Sequence, residues 1–285
     1  MPAHATAVVL GLLVLFLTGL PVFGEEPAPP SEPPAEWPWA SYGLPPTTNP
    51  AALPLNRTDW AYEYHNGMLQ QKLSNPSLIF LGDSITMMWR TQSGFEGGTP
   101  VWHQYYAPLN AANFGLSGDT TATLLWRLTE GGDLEGLHPR VVVLLIGINN
   151  LLGVRGAHTP EQVAEGITTI VNYLKVKLPD TRLLLLGIFP CWESPQHPAR
   201  ELVRQTNALI APLEDRKQVW YLDLGPRFLE PDGTISKVKL RDLLHLSEVG
   251  YQIWASAMHP YLLDLLNNQG QGELWDARGP HLTAP

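Results

Sequence analysis

Four short segments of this 285-residue chain carry side chains suited to acyl transfer: Gly82-Asp83-Ser84, Gly118-Asp119, Gly147-Ile148-Asn149-Asn150 and Asp242-Leu243-Leu244-His245. Serine supplies a nucleophilic hydroxyl, histidine a base that works near neutral pH, and aspartate a carboxylate to orient that base. Glycine and asparagine add donors for the charge that builds on an attacked carbonyl oxygen. Each segment alone is weak. Ser84 reads equally as a helix N-cap, Asp242 and His245 as a surface pair, and Gly118 as an ordinary loop glycine. Their joint presence favours the chemical reading.

The spacing assigns the roles. Asp242 and His245 are one backbone turn apart, so the carboxylate reaches Nδ1 and leaves Nε2 for Ser84. Ser84 ends a strand and opens a helix, which aims its own N–H at developing negative charge. Gly118, lacking a side chain, lets its N–H approach the same oxygen, and the Asn149 amide adds a third donor. The catalytic candidates are therefore Ser84, Asp242 and His245, and the oxyanion candidates are Ser84, Gly118 and Asn149. Met87, Met88, Ile148 and Leu244 flank these positions and are candidates to close the acyl side, which suits a short acyl group such as acetyl; the same side chains also suit a core. Asp83 shapes the turn and Asn150 is structural. Ser117 is set aside because its segment lacks the fifth-position glycine of a nucleophile elbow. The other eight histidines, among them His65, show no comparable setting.

These parts need a scaffold. Residues 78–81, 141–146, 183–186 and 219–222 are apolar runs without polar alternation, which suits strands buried on both faces of a parallel sheet. Between them, residues 121–129, 161–177, 200–213 and 247–266 read as helices; Thr159-Pro160 is a cap followed by proline at the start of the second. The alternation predicts a three-layer α/β/α sandwich with a mostly parallel sheet. Ser84 and Asn149 both follow strands, at the carboxyl edge where ligands bind in such sheets.

Composition narrows the field. The formal net charge is −9 with no basic run, which argues against a nucleic-acid partner. The single cysteine, Cys191, forms no internal disulfide and no cysteine-based zinc site, and reads as a core residue. No phosphate loop, dinucleotide fingerprint or metal motif is present, so neither cofactor nor metal is expected. Residues 1–24 read as a signal peptide, with a short apolar run and a cleavage site near Gly24, although no Lys or Arg precedes the run. The expectation is a secreted or periplasmic protein without stable membrane insertion after cleavage; an uncleaved membrane anchor is the alternative. Ten of the 27 prolines lie between Pro27 and Pro54, so residues 25–55 are expected to be an extended, solvated linker. Residues 56–266 form the catalytic domain and 267–285 a flexible tail.

Taken together, the stretches Phe80-Leu81-Gly82-Asp83-Ser84, NFGLSGDTTATLLWRL (113–128), Gly147-Ile148-Asn149-Asn150 and DLLHLSEVGY (242–251) resemble the conserved blocks of the SGNH, or GDSL-type, hydrolase superfamily. The branch they resemble most contains the catalytic subunits of platelet-activating-factor acetylhydrolase. The resemblance implies a flavodoxin-like sheet of about five strands and metal-independent ester hydrolysis through an acyl-serine, with Ser84, Asp242 and His245 as the triad. It also implies a possible homodimer. The expected substrate is a small-molecule or glycan ester; carbohydrate and lipid esters both fit, and Trp60, Trp102 and Trp126 are candidate sugar-stacking surfaces. An acyltransferase acting on glycans and an inactive glycan-binding module are the alternatives.

Overall fold

The computed structural model describes residues 45–57, 61–90, 97–267 and Trp275. The signal-peptide segment, most of the linker and Trp60 lie outside the described residues. Five strands form one sheet in the order β2-β1-β3-β4-β5, and every pairing is parallel. They are β1 (Leu78–Gly82), β2 (Ala111–Gly115), β3 (Val141–Leu145), β4 (Arg182–Leu186) and β5 (Val219–Leu222). β1 and β3 are buried at every position, as strands covered on both faces must be.

Among the described residues eight α-helices accompany the sheet: α1 (Ala61–Met68), α2 (Ser84–Met87), α3 (Thr99–Tyr105), α4 (Thr121–Thr129), α5 (Ile148–Leu151), α6 (Pro160–Lys177), α7 (Pro198–Ile210) and α8 (Glu248–Asn267). The strand order reverses direction between β1 and β3. Right-handed crossovers therefore send α3 to one face and α4, α6 and α7 to the other. The packing agrees: α6 touches α4 and α7, while α3 packs on α8. The helix expected at 161–177 begins one residue earlier, where Thr159 and Gln162 cap each other's backbone reciprocally. β2 is hard to read in sequence, since Ala-Ala-Asn-Phe-Gly carries no β-branched residue.

The linker expectation needs correction at its end. Pro50–Ala52 is a 3-10 turn, and Ala51 and Ala52 are buried. Proline is tolerated there because a first-turn N–H has no helical partner to lose. Asn49 caps the turn and donates to Gln162 O (2.9 Å) and Glu165 Oε2 (3.0 Å), and Thr121 Oγ1 donates to Ala51 O at 2.6 Å. Residues 47–55 are thus docked on α4 and α6. Trp275, assigned by sequence to a flexible tail, is buried as well; its indole N–H donates to Asp264 Oδ2 at 2.7 Å. Trp102 also departs from expectation. It lies in a buried aromatic cluster with Phe80, Trp89 and Tyr106, unavailable to a sugar. Trp126 is partly buried, edge-on to His65.

Candidate active site

The turn that carries Ser84 is built from β1 and α2. β1 stops at Gly82, Asp83 caps α2 through Ile85 N–H (2.9 Å), and Ser84 is the first helical residue. Its N–H is one of those that no intrahelical carbonyl accepts. Three tethers hold the turn. Tyr251 of α8 donates to Ile85 O at 2.7 Å, and the Asn113 amide donates to Thr86 O (2.9 Å) and Met87 O (3.2 Å). The third is close packing on β2: a Cβ at Gly115 would come within 2.2 Å of Met87 N, so only glycine lets α2 approach this strand. The Ser84 side chain is nearly buried, at 7% exposure, which differs from the open sheet-edge position its sequence suggests.

His245 reaches Ser84 from the segment between β5 and α8. Its Nε2 lies 2.9 Å from Ser84 Oγ, and its Nδ1 lies 2.7 Å from Asp242 Oδ2. The other carboxylate oxygen of Asp242 accepts the N–H groups of Leu244 (3.0 Å) and His245 (2.6 Å). One carboxylate thus shapes the turn and orients the ring, which is the physical content of the three-residue spacing. Leu243 takes a left-handed backbone, φ 68°, to close this turn. Partial burial works to raise the Asp242 carboxyl, but hydrogen bonds from the His245 ring and from the two N–H groups outweigh it and hold its pKa at about 2. The carboxylate stays charged beside the ring at any ordinary pH.

The donor side comes from the loops after β2 and β3. Gly118 has φ 75°, a left-handed conformation in which a side chain would be strained. Asn149, in the short helix α5, donates to Asp119 O at 2.8 Å. An amide carries two N–H groups, so this bond fixes the amide plane and leaves the second N–H for another acceptor. Ser84, Gly118 and Asn149 therefore follow β1, β2 and β3, three adjacent strands bracketing the point where the strand order reverses.

Of the acyl-side candidates, Met88 and Ile148 are buried in the continuous core, Leu244 packs against it and Met87 is partly exposed. The Met88 sulfur also accepts Arg241 at 3.0 Å. Asn150 is structural as expected; it is fully buried and its amide pairs with the Thr121 N–H (2.9 Å) and hydroxyl (3.0 Å). Cys191 is a core residue whose thiol burial pushes up to about 12, with Arg200 opposing weakly.

Sequence reasoning missed what stands behind the donor loop. Arg57 donates to Ser117 O (2.6 Å) and Asp119 Oδ1 (3.0 Å), and Arg127 donates through Nε to Asp119 Oδ2 (2.8 Å). Arg127 also pairs with Asp133, whose other oxygen meets His65 Nε2 at 2.5 Å. All five side chains are buried. His65 therefore does have a carboxylate partner, contrary to its unremarkable sequence setting. No local signal could reveal it, because His65 and Asp133 are 68 residues apart.

A doubly wound parallel sheet with serine, imidazole and carboxylate in line at its carboxyl edge is the arrangement of a serine-dependent hydrolase. Comparison with known proteins agrees. The pattern of the GDSL-like lipase/acylhydrolase family matches residues 80–253. The human platelet-activating factor acetylhydrolase IB subunit alpha1 is 38% identical over 232 residues, covering 79% of this chain and 94% of that one. A GDSL-like lipase from Bacteroides thetaiotaomicron superposes with a TM-score of 0.58 at 18% identity, over 71% of this chain and 97% of that one. An acetylxylan esterase from Geobacillus stearothermophilus superposes at 0.51 with 21% identity, over 64% and 91% of the two chains. The chain belongs to the GDSL-like lipase/acylhydrolase family and is a carboxylic-ester hydrolase.

Proposed function

We propose that this protein is an exported serine esterase that removes short acyl groups, acetyl above all, from an alcohol through an acyl-Ser84 intermediate. The observation that carries the reading is the unbroken line from Ser84 Oγ through His245 to Asp242, at 2.9 and 2.7 Å. With Nδ1–H donated to Asp242, the Nε2 lone pair faces the serine hydroxyl. His245 takes that proton as Oγ attacks the ester carbonyl, then returns it to the leaving alkoxide as the tetrahedral intermediate collapses. Water repeats the sequence: His245 takes its proton, hydroxide attacks the acyl-serine, and Ser84 leaves with the proton restored. The N–H groups of Ser84 and Gly118 and the second amide N–H of Asn149 bind the oxyanion in both steps.

Met87, Met88, Ile148 and Leu244 close the acyl side in this reading, which favours acetyl over long chains. A leader at 1–24 and a net charge of −9 suit an exported enzyme acting on a neutral carbohydrate ester better than on an anionic lipid surface. The deciding experiment compares wild type with Ser84→Ala on p-nitrophenyl acetate, butyrate and octanoate. The variant should be folded and inactive, and wild type should prefer acetate. Activity retained in the variant removes Ser84 from the mechanism, while a clear octanoate preference removes the short-acyl assignment.

A further inference from the structure

We propose that Trp192 is the platform for the alcohol half of the substrate, and that it binds a neutral pyranose ring. The proposal rests on the esterase reading above and adds the leaving-group subsite to it. Trp192 lies on the loop after β4, at the same carboxyl edge of the sheet as Ser84 and Asn149. Its side chain is 42% exposed, whereas five other tryptophans, Trp89, Trp102, Trp220, Trp254 and Trp275, are at most 2% exposed.

Trp192 holds a φ of 64°, a left-handed backbone that a bulky residue rarely adopts and that surrounding structure must enforce. The enforcing bonds lead to the catalytic turn. Trp192 N–H donates to Leu243 O at 2.7 Å, and Leu243 is itself left-handed between Asp242 and His245. Two strained residues on separate loops are thus bonded to each other beside the base.

The ring is also held in one orientation. It stacks on His197 with centroids 4.7 Å apart and planes 23° from parallel. His197 Nδ1 in turn accepts Ala199 N–H at 3.2 Å as the N-cap of α7, which fixes the imidazole beneath the indole. One indole face is therefore backed by His197, and the residue as a whole is 42% exposed. A pyranose suits such a surface, because its ring C–H groups carry partial positive charge and pack flat on the π face. A quaternary ammonium headgroup is best held by several aromatic walls, whereas among the described residues His197 is the one ring packed against Trp192. An indole that is 42% exposed, stacked on His197 and held by strained backbone is a binding feature that core packing does not require.

The test measures kcat/KM for an acetylated methyl xylopyranoside, for a 2-acetyl glycerophosphocholine and for p-nitrophenyl acetate. Trp192→Gly and Trp192→Asn both accept a left-handed backbone, so a folded protein is expected with no loss of melting temperature. The ratio of glycoside to nitrophenyl ester kcat/KM should fall about 10-fold, mainly through KM, and Trp192→Phe should restore most of it. A ratio that stays within about twofold, or a loss confined to the phosphocholine ester, overturns the proposal. Wild type active on p-nitrophenyl acetate but not on the glycoside overturns the subsite alone; wild type inactive on all three overturns the esterase reading beneath it.

Discussion

Among the described residues two histidine–aspartate pairs occur, and one of them faces the Ser84 hydroxyl. Asp242–His245 and Asp133–His65 have similar lengths, 2.7 and 2.5 Å. They differ in what surrounds them. The Asp242 carboxylate is half exposed and bonded only within its own turn and ring, so the imidazole offers Nε2 to Ser84. The Asp133 carboxylate is wholly buried and shared with Arg127, and its histidine presents Nε2 to that carboxylate. In the proposed mechanism the first pair moves a proton; the second closes a buried ion network that braces the Gly118 loop. Which nitrogen meets the carboxylate, and whether a hydroxyl awaits the other, separates a base from a brace.

The largest effects belong to the first pair. Ser84→Ala or His245→Ala should lower kcat by roughly 10⁴-fold or more while leaving the melting temperature near wild type. Asp242→Asn keeps the shape of the turn but presents the wrong tautomer, and a kcat loss of about 10⁴-fold is expected. Cutting the second pair should look different. Asp133→Asn leaves Arg127 short of a buried partner and should cost about 3–5 kcal/mol in urea unfolding, with kcat within about 10-fold. If Asp133→Asn inactivates a fully folded protein, the distinction between base and brace fails.

Asn149→Ala tests the donor side. It removes one proposed oxyanion donor and the bond to Asp119 O, so kcat should fall by about 10²–10³-fold with KM little changed. A separate effect is on pH-dependent stability. Burial pushes the Asp83 carboxyl up to about 7, against the Ile85 N–H bond and with help from Asp119. The folded protein then holds a proton that the unfolded chain releases from about pH 4 upward, so this group makes stability fall as pH rises from about 4 to 7. Asp83→Asn keeps the cap and should flatten that slope in melting curves. Asp242 acts in the opposite sense. Its depressed pKa contributes stability above about pH 4 that is lost as pH falls toward 2, and Asp242→Asn should lessen that acid loss.

Legibility followed the range of the interaction. The turn from Asp242 to His245 and the cap at Thr159 are made by residues three apart, so type and spacing reveal them. β1, β3, β4 and β5 show as apolar runs because both faces of a parallel sheet are covered. β2 was obscure because its small residues and Asn113 serve neighbours rather than strand propensity; Asn113 is there to bind α2. The docking of residues 47–55, the place of Trp275 and the Asp133–His65 pair all depend on partners far away in the chain. Trp192 is the clearest case, since nothing in Cys191-Trp192-Glu193 marks it as an exposed tryptophan.

By itself, the order of residues determined the chemical groups, the parallel α/β class and the local turn that joins carboxylate to imidazole, because backbone periodicity and short-range hydrogen bonds set these. Only the tertiary structure decided that His245 meets Ser84 across 161 positions, that a buried ion network backs the donor loop, and that Trp192 is exposed. The reason is physical: such contacts depend on which surfaces the packed sheet brings within a few ångströms, and no local pattern encodes that distance.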